Sequence, residues 1–148
     1  MIRTARPGDI SALARIEKQF GSDRMCRSQL AEYVRKESCY FTVECDLDTP
    51  PRGYSMLVWR FQHRFARLYS IAVDRSYHGV GVGRALLRDS IDFAARAGFE
   101  SVRLEVSAVN EPAKALYRSE GFAKIGVIQD YYSGNVAAMS MELKLGRG

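Results

Sequence analysis

The sequence predicts a mixed α+β fold, with one sheet of six or seven mostly antiparallel strands flanked by about four helices. Three observations carry this expectation. An apolar strand at Leu68–Val73 runs through a glycine loop into a helix and out to a second strand at Ser101–Ser107. A strand–helix–strand unit of this kind calls for a right-handed parallel crossover. The strands on either side of it are separated by short polar links, which suit hairpins and antiparallel pairing. Finally, 148 residues with no repeats, low-complexity segments or linkers suit a single domain over residues 1–148.

The elements follow in order. Met1–Ala5 reads as a short opening strand. Pro7, Gly8 and Asp9 start a helix with Asp9 as its N-cap, and Ile10, Leu13, Ile16 and Phe20 recur at helical spacing. Gly21–Arg27 is polar and reads as a loop. Gln29–Lys36 reads as a second short helix with Leu30, Tyr33 and Val34 turned inward. Cys39–Asp46 is strand-like, and Asp48–Gly53 is a turn rich in breakers. Tyr54–Phe61 and Phe65–Val73 are strands joined by the polar Gln62–Arg64. Gly81–Ala97 is a helix ended by Gly98. Ser101–Ser107 alternates Val102, Leu104 and Val106 with Arg103, Glu105 and Ser107, as in a half-buried strand. Glu111–Glu120 is a helix entered at Asn110 and Pro112 and closed by Gly121. Phe122–Gln129 and Val136–Leu145 complete the sheet.

Composition narrows the function classes. No apolar run is long enough to span a bilayer, and the opening MIRTARPGD has no apolar stretch of the signal-peptide kind, so a cytoplasmic protein is expected. Cys26, Cys39 and Cys45 are odd in number and form no C-x-x-C pair, which reads as free thiols in a reducing compartment. Two histidines without ligand spacing give no metal site. The net charge is +5, with seventeen arginines against five lysines. This charge is dispersed, whereas a nucleic-acid partner wants a clustered stripe. A polyanionic small molecule fits the excess better.

The glycine loop is the most informative stretch. Gly79, Gly81 and Gly83 alternate immediately before a helix. Such a loop exposes unpaired N–H groups at the positive end of the helix dipole, an arrangement that binds phosphate. The spacing is G-x-G-x-G, so the dinucleotide fingerprint G-x-G-x-x-G is not met. The P-loop is not met either, because Arg84 and Ala85 stand where Lys and Ser/Thr would follow Gly83. The plain alternative is a tight glycine turn with no ligand.

The run His78-Gly79-Val80-Gly81-Val82-Gly83 resembles the acetyl-CoA-binding segment of the GNAT N-acetyltransferase superfamily, whose pattern is Arg/Gln-x-x-Gly-x-Gly/Ala. His78 departs from it at the first position. The resemblance continues through Leu104–Phe122, Asp130–Tyr132 and the last strand, and is nearest to the branch that acetylates ribosomal-protein alanine N-termini. It implies a GNAT-like sheet and acetyl-CoA as co-substrate. The backbone N–H groups from Gly79 to Arg84 would hold the pyrophosphate, Arg84 adding charge or standing simply as an exposed helix arginine. The strand Ile71, Ala72 and Val73 would pair with the pantetheine arm, and would splay from the Leu104–Val106 strand to admit the thioester. Asn110 is an N-cap on its own evidence, with a pantetheine hydrogen bond implied by the family.

Amide formation from a thioester needs an unprotonated amine, a donor for the oxyanion and an acid for the thiolate. Amines are largely protonated near neutrality, their pKa values lying at about 8 to about 10.4, so a base helps. Glu105 matches the family's carboxylate in Leu-Glu-Val; the alternative is an exposed strand glutamate. Tyr117 matches the family's acid and, seven residues from Asn110, shares its helix face across Ala113; the alternative is a core tyrosine. The Val73 N–H is the expected oxyanion donor. Tyr131 and Tyr132 would grip a peptide N-terminus, or simply pack on the sheet. The acidic residue that usually follows them in the branch is absent from Ser133–Ala138, and Gly21–Arg27 does not resemble the branch's apolar–aromatic loop. The acceptor expected is a protein or peptide α-amine, with a small amine (polyamine, amino acid or antibiotic) or a non-catalytic CoA-binding role as alternatives. No metal, nucleic acid or membrane partner is expected, and the chain is expected to be a monomer or homodimer.

Overall fold

The computed structural model describes residues 1–21 and 23–146. Among them lie seven strands and four α-helices: β1 Ile2–Thr4, α1 Ile10–Glu17, α2 Arg27–Arg35, β2 Cys39–Glu44, β3 Gly53–Val58, β4 Phe65–Val73, α3 Val82–Arg96, β5 Ser101–Ser107, α4 Glu111–Ser119, β6 Ala123–Tyr132 and β7 Val136–Lys144. The α+β class expected from the sequence is the class observed. The strands form one sheet in the order β1-β2-β3-β4-β5-β7-β6. Only β4 and β5 run parallel, because α3 carries the chain back between them. The last two strands form a hairpin that enters with β7 against β5, leaving β6 at the edge.

Two helix entries differ from expectation. Asp9 stands at the N-cap position of α1, as expected, but its side chain makes no cap hydrogen bond to that helix. A short 3-10 turn, Pro7–Asp9, precedes that helix, and the Asp9 carboxylate turns back to accept from the Arg6 N–H and both Nη groups of Arg3, each at 2.8 Å. A two-pronged guanidinium outbids one orphan helix N–H. The second helix begins two residues early, at Arg27, because Cys26 already serves as N-cap, its N–H donating to Gln29 Oε1 at 2.9 Å. Of the expected Gly21–Arg27 loop, Ser22 lies outside the described residues and Arg27 belongs to α2.

Both faces of the sheet are covered. Leu13 and Ile16 of α1 and Leu30 of α2 pack on Phe41, Val43, Tyr54 and Met56. On the other face, Leu87 and Ala94 of α3 and Tyr117 of α4 pack on Leu57, Leu68, Leu104 and Met141. Strand β3 is sandwiched, so even its serine is buried: Ser55 Oγ reaches Ser90 Oγ of α3 at 2.9 Å. This rigid centre is what β4 leans on, and β4 builds the site.

Candidate active site

The two parallel strands pair from Phe65↔Ser101 to Leu68↔Leu104 and no further, although β4 continues to Val73 and β5 to Ser107. The cause lies on the other edge of β4. Its register with β3 shifts between Met56↔Ser70 and Leu57↔Leu68, which leaves Tyr69 as an extra residue. A bulge of this kind bends its strand and sharpens the twist. The strands therefore part into a cleft of about 430 Å³. Its walls are the outer halves of β4 and β5, the face of α4 bearing Asn110, Ala113 and Tyr117, part of the α1–α2 loop, and Tyr131 and Tyr132 at the β6–β7 hairpin.

The backbone of β4 faces this opening at alternate residues. Asp74 N donates to Arg52 O at 2.8 Å, just beyond the Gly53↔Val73 pair. Antiparallel alternation then assigns the backbone groups of Ala72 to the β3 ladder, and turns those of Ile71 and Val73 away from β3 to the side where the β5 ladder has ended. Of the three residues expected to meet a pantetheine arm, Ile71 therefore offers both its N–H and C=O groups and Val73 its N–H, the Val73 carbonyl being met by His78, while Ala72 is occupied.

Beyond β4 the chain makes a 3-10 turn at Arg75–Tyr77 and enters the glycine loop. Gly79 and Gly81 have φ of 79° and 91°, the left-handed region where a side chain is strained. A Cβ at either would meet no protein atom within 4 Å, so the concave side of the loop is open. Gly81 caps α3, and the first helical bond runs from Ala85 N to Gly81 O at 3.0 Å. The N–H groups of Val82, Gly83 and Arg84 thus lack intrahelical acceptors, as at every helix start. Val82 is buried as the anchor of this turn and Val80 is exposed. This backbone cradle fits a pyrophosphate. The side chains beside it do other work: His78 Nε2 lies 2.7 Å from Val73 O, pinning the loop to β4. Arg84 reaches Ser119 at 3.0 Å at the end of α4 and Glu120 at 2.6 Å just beyond it, a carboxylate it shares with Arg88, so its side chain is tied to α4 and not directed at the loop.

Glu105 points into the cleft, but not as a free carboxylate. Arg67 of β4 grips both its oxygens, at 2.6 Å and 3.1 Å. The same guanidinium donates to the Tyr131 hydroxyl at 3.0 Å. Tyr132 donates to the Glu105 backbone carbonyl at 3.3 Å, and its ring meets Tyr131 edge-on at 4.8 Å. Burial, then the neighbouring Tyr131, pushes the Tyr132 phenol up to about 12. Across the cleft, Tyr117 is 7% exposed and packs edge-to-face on Phe122. Its hydroxyl has no hydrogen-bond partner among the described residues, and burial, then Tyr132, raises its pKa, which keeps it a donor at neutral pH. Asn110 caps α4, accepting from Ala113 N–H at 3.2 Å.

Three features of the cleft carry no sequence signal of their own. Arg67 reads as a polar strand residue. Glu17, buried on α1, accepts from Met25 N–H at 2.9 Å and from the Tyr54 hydroxyl, which also contacts Ser70 Oγ at 2.8 Å. This holds the α1–α2 loop against β4. Asp23 accepts from Ser133 Oγ at 2.9 Å and from Ser133 N at 3.3 Å, tying that loop to the β6–β7 hairpin across the cleft. Among the described residues no cluster of three or more His, Cys, Asp or Glu is placed to hold a metal ion, and no helix is long and apolar enough to cross a membrane.

Residues 10–122 match the model of the acetyltransferase (GNAT) family. The N-alpha-acetyltransferase RimI of Mycobacterium tuberculosis is 49% identical over 65 residues, 44% of this chain and 39% of that protein. A streptothricin acetyltransferase of Streptomyces lavendulae is 33% identical over 85 residues, 57% of this chain and 45% of that one. The chain thus spans less than half the length of either curated relative. The crystal structure of the ribosomal-protein-S18-alanine N-acetyltransferase from Escherichia coli superposes with a TM-score of 0.89 at 27% identity, over 100% of this chain and 95% of that chain. The chain belongs to the acetyltransferase (GNAT) family.

Proposed function

We propose that this GNAT-family chain is an acetyl-CoA-dependent N-acetyltransferase that acts on the α-amine of a protein or peptide by direct transfer. The observation that carries the reading is the parting of β4 from β5, with Glu105 on one wall and Tyr117 on the other. A thioester laid along Ile71 and Val73, its pyrophosphate on the Gly79–Arg84 backbone, brings its carbonyl between these two groups. The amine attacks that carbonyl and an amide C–N bond forms. The amine proton passes to Glu105, directly or through a water, onto lone pairs that Arg67 leaves unused. The Val73 N–H, turned away from β3, is the donor for the oxyanion. The C–S bond then breaks, and Tyr117 donates to the departing thiolate.

The likeness to N-terminal acetyltransferases and the tyrosine pair at the cleft mouth favour a peptide acceptor. A single domain working in the cytoplasm as a monomer or homodimer fits that role. A small amine is the second reading, favoured by the match to a streptothricin acetyltransferase. The test is mass spectrometry after incubation with acetyl-CoA and a mixed library of free-N-terminus and lysine-containing peptides. A 42-Da gain on α-amines, the mass of one acetyl replacing one hydrogen (about 42 Da), supports the proposal. Gain on lysines alone moves the acceptor. No peptide product alongside acetylated streptothricin or polyamine establishes the second reading.

A further inference from the structure

We infer that Arg67 is a positioning residue for the transfer, holding the Glu105 carboxylate in its working orientation and coupling it to the acceptor-side hairpin through Tyr131. The inference rests on Glu105 acting as the base. Its ground is geometry. Among the described residues Arg67 is the one cation that touches both the carboxylate and a residue expected to meet the acceptor, and it does so through three contacts from two nitrogens: Nε and Nη2 to Glu105 and Nη2 to Tyr131. A guanidinium fork fixes the plane of the carboxylate it grips, which a single point charge does not. The glutamate needs such a restraint. Its strand keeps the β7 ladder on one side but has lost the β4 ladder on the other, and the walls of the cleft give its carboxylate no other side-chain donor among the described residues.

Stability is not the whole account of the arrangement. The Arg67 side chain is 39% exposed and that of Glu105 is 17% exposed. Solvent at the arginine screens the pair and limits what it contributes to folding, although the two-pronged geometry sets it above an ordinary surface pair. What the pair does is mechanical. Glu105 belongs to β5 and Tyr131 to β6, on two strands separated by β7 in the sheet. Arg67 reaches both from β4, across the mouth of the cleft. An acceptor that settles against Tyr131 therefore acts on the group that also sets the carboxylate. The orientation of the base is tied to occupancy of the acceptor side.

The test is a double-mutant cycle on the full chain, with acetyl-CoA and the library peptide of highest turnover. Arg67→Met is expected to lower kcat on the order of tenfold to a hundredfold, the usual cost of a misplaced catalytic group, while KM for acetyl-CoA stays within twofold. In the Glu105→Gln background the same substitution is expected to change kcat by less than twofold, since there is no carboxylate left to orient. Arg67→Lys restores the charge without the fork and recovers part of kcat; it also serves should the methionine variant not fold. Equal losses from Arg67→Met in both backgrounds, or no loss in either, overturn the inference while leaving Glu105 as base. A Glu105→Gln variant with unchanged kcat overturns the base assignment itself, and is read separately from the arginine.

Discussion

Tyr117→Phe separates the chemistry of the site from its stability. The ring is 7% exposed and meets Phe122 with centroids 5.8 Å apart, so phenylalanine keeps the packing. The hydroxyl has no hydrogen-bond partner among the described residues, and a desolvated hydroxyl without one costs about 1–3 kcal/mol. Because this one borders a cleft rather than sealed core, the gain on removing it is smaller, about 0–1 kcal/mol. At this chain length that is an upward shift in Tm of at most ~4 °C. The thiolate, however, loses its donor, and kcat is expected to fall about a hundredfold, or ~2.7 kcal/mol of barrier. Thermal unfolding without acetyl-CoA gives the first quantity; a thiol-detection assay of CoA release gives the second. Burial and the neighbouring Tyr132 raise the phenol's pKa, so no loss of kcat between about pH 6 and 9 arises from its ionisation. A variant with kcat within twofold of the parent refutes the acid assignment. One destabilised by more than about 2 kcal/mol shows instead that the hydroxyl has a structural partner.

Three further outcomes follow from the same geometry. Gly81→Ala puts a Cβ on a residue with φ of 91° but against no protein atom, so it is expected to cost about 1–2 kcal/mol of stability from backbone strain and to weaken acetyl-CoA binding by calorimetry; an unchanged Kd moves the pyrophosphate elsewhere. Of the three thiols, Cys26 is exposed and lowered by the hydrogen bond from Ser28, whereas burial pushes Cys39 up to about 12 and Cys45 is buried. One thiol is therefore expected to react quickly in the folded protein, and Cys26→Ser to abolish that phase; a fast phase that survives the substitution contradicts the assignment. Burial alone would raise the Asp9 carboxyl, but the Arg3 fork and the Arg6 N–H outweigh it and hold it below the usual range. Its contribution is present above the unfolded value of about 3.9 and is lost as pH falls through the lower folded value. Asp9→Asn is accordingly expected to be less stable than the parent in urea at pH 7, with the gap closing in strong acid; a gap independent of pH would show that the charge is not what matters.

Periodicity and punctuation by themselves determined most of the secondary structure. The bounds of Phe65–Val73 and Ser101–Ser107 are those observed, because alternation of apolar residues between polar breaks is local information. The helix after the glycine loop was legible for the same reason. Where a local signal had a stronger distant competitor, it failed: Asp9 looks like a helix cap and is taken by Arg3. The expected site residues Ile71, Ala72, Glu105, Asn110, Tyr117, Tyr131 and Tyr132 do line one cleft, but the cleft itself is not written in any of them. It exists because Tyr69 bulges out of register with β3 and turns β4 away from β5. Its mouth is closed by contacts between residues far apart in the chain: Arg67 with Glu105 and Tyr131, 38 and 64 positions away, and Asp23 with Ser133, 110 positions away. Spacing in a sequence reports which side of a helix or strand a residue occupies. Which element will face that side is set by how the whole sheet packs, and only the tertiary structure decides it.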